Sequence, residues 1–115
     1  MIAAETISEI LNIYKKHGWT LRRVLLSDGL KKSLEDSAKS LFGIAELTAS
    51  DIDAAWFSRA SNATRETWEI RHLSQTPFAL LEVIDKAAPE SERNAVLSAT
   101  EGRLREIVMA KTSSV

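Results

Sequence analysis

From Glu66 to Leu73 the chain reads Glu-Thr-Trp-Glu-Ile-Arg-His-Leu, so that Trp68 and Ile70 alternate with charged or polar residues at a period of two. A helix would scatter these side chains around its circumference, whereas a strand gathers them on one face. The stretch from Ile52 to Arg59 alternates around Trp56 and Phe57, and Ser61-Asn62-Ala63-Thr64 separates the two with turn-forming residues. The chain is therefore expected to build a sheet around an antiparallel hairpin, about 52–59 and 66–73. A helix over Ile52–Arg59, capped by Ser50 with Asp53 in the capping-box position, is the competing reading.

Folding the hairpin about Asn62 places Trp56 opposite Trp68, Ala54 opposite Ile70 and Asp53 opposite Arg71. One face then carries Ile52, Ala54, Trp56, Trp68 and Ile70, and the other carries Asp53, Phe57, Arg59, Glu69 and Arg71. Aromatic pairs and opposed charges across strands contribute about 0.2–1 kcal/mol each. A one-residue slip would mix tryptophan and charge on one face, so the pattern itself specifies the pairing parity.

The rest of the chain is mostly helical in pattern. Ile2, Ala3, Ile7, Ile10, Leu11 and Tyr14 recur at three- and four-residue steps, and Lys15, Lys16, His17 and Gly18 supply the cations and the glycine that end a helix. Thr20–Leu26 alternates as a strand. Leu30, Leu34, Ala38, Leu41 and Phe42 predict a second helix, capped by Ser27 or Asp28 and stopped by Gly43, followed by turn-prone residues at 44–51. Thr76-Pro77 reads as a helix entrance, and Ala79-Leu80-Leu81-Glu82 prefer helix, which predicts a third helix running to about Ala88; a strand at 78–84 is the minority reading. Val96, Leu97, Leu104, Ile107 and Val108 mark a last helix from near Glu90.

These elements predict an α+β fold: a two-layer sandwich with a small three-stranded sheet packed against three to four helices. The 115 residues, 44% hydrophobic and 27% charged, suit one domain over 1–115 with a frayed tail at 112–115. No cysteine is present, which excludes disulfides, thiolate nucleophiles and cysteine-ligated metals. No apolar run approaches the roughly 20 residues of a membrane span, so the expectation is a soluble, unexported, cytoplasmic protein with no membrane partner.

Fifteen Lys/Arg against sixteen Asp/Glu leave a net charge of −1, which gives no global field for nucleic acid or an anionic membrane. Residues 1–32 nevertheless hold six cations against three acids, and residues 33–58 five acids against Lys39 alone. Solvated, mutually compensating surface is the plain explanation of such asymmetry.

No signature of known chemistry is present. The two histidines, His17 and His72, have no metal-ligand spacing, the four glycines are scattered singly, and no G-x-S-x-G motif exposes a serine. No metal and no cofactor is expected. The residues that remain as surface candidates for binding are Arg59, Arg65, Arg71 and His72 around the hairpin, with Arg22 and Arg23 from the basic segment. A non-catalytic protein-binding or regulatory module is the expected function, with either another protein or a second copy as partner. The alternatives are a small acid/base or hydrolytic enzyme gathering His72, Arg71, Asp53 and Glu69, and a nucleic-acid-binding domain using the Arg/Trp hairpin. Nucleic acid is the disfavoured partner, because the hairpin turns Trp56 and Trp68 away from Arg59 and Arg71, and three tryptophans in a small chain serve core filling.

Overall fold

A computed structural model describes residues 2–75 and 78–113. The elements in chain order are α1 (Ala4–Lys16), β1 (Thr20–Leu26), α2 (Asp28–Leu34), α3 (Ser37–Phe42), β2 (Glu46–Ala49), β3 (Ala54–Ala60), β4 (Arg65–His72), β5 (Ala79–Asp85) and α4 (Glu90–Ser113). The strands form one five-stranded mixed sheet in the order β2-β1-β3-β4-β5, with β1 parallel to β2 and every other pairing antiparallel. The α+β class stands, but the expected three-stranded, two-layer sandwich does not.

Two elements account for the difference. β2 is a four-residue strand inside the stretch read as turn, and it exists because Leu47, Thr48 and Ala49 lie beside Val24, Leu25 and Leu26 of β1. β5 occupies the stretch read as a helix running to about Ala88. Helix propensity at Ala79–Glu82 amounts to a few tenths of a kcal/mol per residue, about the size that tertiary pairing overrides. Here β5 pairs with β4 over seven consecutive positions, from Arg65↔Asp85 to Arg71↔Ala79. The expected entrance at Thr76-Pro77 lies outside the described residues.

The expected second helix is two. Ser27 caps α2 by accepting the Leu30 N–H, and Glu35, at φ 44°, turns the chain before α3 begins. Gly43, at φ 58°, and Gly18, at φ 85°, close α3 and α1 in conformations that cost glycine little.

The hairpin keeps the expected faces but not the expected register. Trp56 lies opposite Ile70, Ser58 opposite Trp68 and Ala54 opposite His72, a displacement of two residues from folding about Asn62. The turn explains it: Asn62 Oδ1 accepts from the Thr64 and Arg65 backbone N–H groups, both at 2.9 Å, and Ser61 N donates to Arg65 O. The loop therefore spans Ser61–Thr64 and centres beyond Asn62. Trp56 and Trp68 still meet diagonally, edge to face, with ring centroids 6.2 Å apart.

Helices cover the sheet on both sides. Val24, Leu26, Ala55 and Phe57 face Ile7 and Ile10 of α1, Leu30 and Leu34 of α2 and Phe42 of α3. Leu25, Ala54, Trp56, Trp68, Ile70 and Ile84 face Leu97 and Leu104 of α4. Apolar side chains on both faces of β1 and β3 are what a central strand requires.

Candidate functional site

On the α4 side polar groups tie the rim of the apolar core. A bulge between Leu21 and Arg23 sends both Arg22 and Arg23 toward α4. The Arg22 guanidinium lies 5.0 Å from the Trp68 ring centroid, and Arg23 pairs with Glu46 at 3.7 Å and Glu101 at 3.4 Å. Trp56 Nε1 donates to Glu101 at 2.7 Å and Trp68 Nε1 to Glu66 at 2.8 Å. Glu82 of β5 accepts from Thr100 at 2.8 Å and pairs with Arg103. A polar cleft of about 170 Å³, lined in part by Arg22, Trp68, Glu90 and Arg93, opens between β1 and the start of α4. Arg93 Nε is buried there without a hydrogen-bond acceptor among the described residues, 3.8 Å from Glu66 Oε1.

The α1 side is built differently. Tyr14 stacks on Phe57, with ring centroids 3.9 Å apart and planes 8° from parallel, and its hydroxyl donates to the Glu69 carboxylate. Burial first, then the hydrogen bond to Glu69 and its negative charge, push the Tyr14 phenol well above its ordinary 10.0, with Arg71 opposing. Arg59 closes the end of α1: it donates to the His17 carbonyl at 3.1 Å and lies 4.5 Å from the Trp19 ring centroid. The two flanks of α1 thus border two hollows. Toward α3 lies a cleft of about 550 Å³ with Leu11, Leu21, Leu41 and Phe57 among its lining and Lys15 at its rim. On the other flank Ile13, Tyr14, His17, Trp19 and Arg59 border an open groove.

Beyond that groove the helical cover thins, from half-buried residues on β4 to exposed ones on β5. Thr67, Glu69 and Arg71 of β4 lie on the α1 side, since they pair with Arg59, Phe57 and Ala55. Their β5 neighbours on the same side are Val83, Leu81 and Ala79. Leu81 and Val83 are 57% and 58% exposed, and Ile13 on the adjacent flank of α1 is 58% exposed. Here the layer of helices stops short of the sheet edge.

The six candidate residues from the sequence do not form one surface. Arg22 and Arg23 belong to the α4 side, Arg59 to the end of α1, and Arg65 to the exposed start of β4. Arg71 donates to the His72 and Ser74 carbonyls at the far end of that strand. His72 lies on the other face of β4, opposite Ala54, with Ser74 Oγ 2.9 Å from its Nδ1. Burial holds its imidazole below the ordinary 6.5, with Asp53 opposing and Arg71 reinforcing. Of the quartet His72, Arg71, Asp53 and Glu69, the sheet sets His72 on one face and Arg71 and Glu69 on the other, while Glu69 is engaged by Tyr14 and Asp53 accepts from Ser27 N at 2.7 Å and Ser27 Oγ at 3.1 Å. Among the described residues, no cluster of His, Asp and Glu has the makings of a metal site, and no helix is long and apolar enough to cross a membrane.

Comparison with protein-family models, curated proteins and solved structures finds no significant match. The chemistry therefore rests on this geometry alone. Sequence reasoning passed over Leu81, Val83 and the Tyr14–Glu69 pair. The strand preference of Val83 and Ile84 was the available signal for the first two; nothing local signals a bond between residues 55 positions apart.

Proposed function

We propose that the protein is a non-catalytic binding module that presents the open β4–β5 half of its sheet to a protein partner. The observation that carries this reading is the exposure of Leu81 and Val83, side by side on the α1-side face of β5. Single exposed apolar residues are ordinary, but adjacent ones on an edge strand, with Ile13 on the bordering helix, form the apolar centre that a protein interface needs. Thr67, Glu69 and Arg71 beside them supply a polar margin. The splitting of His72 from Glu69 by the sheet supports binding over acid/base catalysis.

The test is retention of protein by the immobilised chain, with a tagged second copy included among the proteins offered. Leu81→Lys is expected to abolish retention, and Leu47→Lys, which alters an exposed leucine on the opposite edge strand, to preserve it. Equal retention by both variants would remove the open half as the binding surface.

A further inference from the structure

We propose that the partner is a second copy of this chain, joined by antiparallel pairing of β5 with its two-fold mate so that two five-stranded sheets become one. The proposal rests on the reading of the open half as a protein-binding surface and adds the identity and register of what covers it.

The hydrogen-bond alternation of β5 fixes the geometry. His72 N donates to Phe78 O at 2.8 Å and Lys86 N to Thr64 O at 2.9 Å, which marks 72/78 and 64/86 as hydrogen-bonded pairs of the β4–β5 ladder. Such pairs recur at every second residue of an antiparallel ladder, so Leu80, Glu82 and Ile84 bond to β4. Ala79, Leu81, Val83 and Asp85 then direct their N–H and C=O groups to the outer edge, where no described strand pairs with them; the Asp85 carbonyl already accepts from Ala88 N at 3.0 Å, which leaves its second lone pair and its N–H for pairing. Leu81 and Val83 therefore combine an exposed apolar side chain with unpaired backbone groups, and only another strand satisfies both.

β5 also lacks most of the devices that keep edge strands apart. It holds no lysine, arginine or proline, its register against β4 runs without a bulge, and of its two acids Glu82 is paired with Arg103 and Asp85 ends the strand. The other edge, β2, has only four residues.

The second copy follows from symmetry. The four outward residues are spaced evenly about Glu82, so the two-fold register that pairs all of them sets Ala79 against Asp85 and Leu81 against Val83 of the mate, with Glu82 on the axis. Any other two-fold register leaves at least one outward residue unpaired. In this register Leu81 and Val83 of both copies become four contiguous apolar side chains. The Glu82 carboxylates that meet at the axis lie on the α4 side, and each is already paired with its own Arg103. A pairing of β5 with β2 of another copy would be head to tail and build a ring or a filament, whereas β5 with β5 closes as a dimer.

Sedimentation of the full chain at micromolar concentration is expected to give twice its 12.7 kDa mass. Val83→Pro removes an outward N–H and leaves the β4–β5 ladder its bonds, so it should yield a folded monomer. Leu81→Lys should do the same by placing charge in the apolar cluster, and serves if the proline variant fails to fold. The absence of native cysteine makes single-cysteine variants clean reporters of register. Glu82→Cys should form a disulfide-linked dimer on mild oxidation, since residues facing each other across a non-hydrogen-bonded pair have Cα atoms about 4.5 Å apart. Ala79→Cys should not, because its two copies would lie about 20 Å apart along the strands.

A wild-type monomer would overturn the self-pairing, and if Leu81→Lys still abolished retention of other proteins, the binding surface itself would stand. A dimer that survives both Val83→Pro and Leu81→Lys, or a dimer in which Ala79→Cys cross-links and Glu82→Cys does not, would also overturn the proposal.

Discussion

The two sides of the sheet solve the same problem to different extents. On the α4 side one 24-residue helix spans the sheet from β1 to β5, and both buried indoles have their N–H groups tied to carboxylates, Trp56 to Glu101 and Trp68 to Glu66. On the α1 side three shorter helices cover β1 and β3, Tyr14 reaches across to Glu69, and Leu81 and Val83 remain uncovered. The difference teaches where stability and function reside. One side buries its apolar strand residues under α4; the other stops at β5, whose outer edge has no strand partner among the described residues and whose Leu81 and Val83 are exposed.

The largest expected effect lies on the sealed side. Trp56→Ala should cost about 3–5 kcal/mol, since it empties a fully buried site and takes a donor from Glu101. Urea denaturation measures it, and a loss below about 1 kcal/mol would show that this side is not the sealed core described, because exposed substitutions fall in that range.

At the border between the sides, Tyr14→Phe should cost about 1–2 kcal/mol through loss of the hydrogen bond to a charged acceptor while keeping the stack on Phe57. Tyr14 is the only tyrosine, so phenolate absorbance reports it directly. It should resist ionisation well above 10.0, and Glu69→Gln should ease it. Because the folded-state pKa is raised, the contribution of Tyr14 to stability is complete below pH 10.0 and is lost as pH rises through the folded value. A titration at 10.0 would show that α1 does not lock onto β4.

A smaller effect is expected at the end of β4. The His72 imidazole is held below 6.5 by burial, so the unfolded chain binds its proton first. Stability is therefore complete above 6.5 and falls as pH drops from there toward the folded value, and His72→Gln should flatten that part of the profile. An unchanged profile would place the imidazole in solvent.

The smallest is Leu81→Lys on the open half, which should leave the monomer's stability within about 0.5 kcal/mol of wild type. A loss near that of Trp56→Ala would mean that this half is covered.

Much of this contrast was legible in the sequence. The α1 stripe of Ile7, Ile10 and Tyr14, the bounds of β1, the two faces of the hairpin and the helical last segment follow from periodicity, because burial on one side writes itself into the spacing of apolar residues. The pairing register did not follow, because it depends on where Asn62 sends its side chain. The break at Glu35 has no glycine to announce it. β2 is too short to show a period, and β5 combines helix-preferring residues with a pairing that only tertiary structure supplies. The binding surface was hidden with β5, since Leu81 and Val83 share a face only if the segment is a strand.

Residue-resolved amide exchange along β5, at rising protein concentration, tests both the strand and its open edge. In dilute solution the N–H groups of Leu80, Glu82 and Ile84 should be protected by β4 and those of Leu81 and Val83 should exchange rapidly; at higher concentration the latter pair should gain protection as copies associate. Uniform protection from Ala79 to Asp85 in dilute solution, or rapid exchange at Leu81 and Val83 that concentration does not slow, would contradict an edge open in the monomer and closed by a second copy.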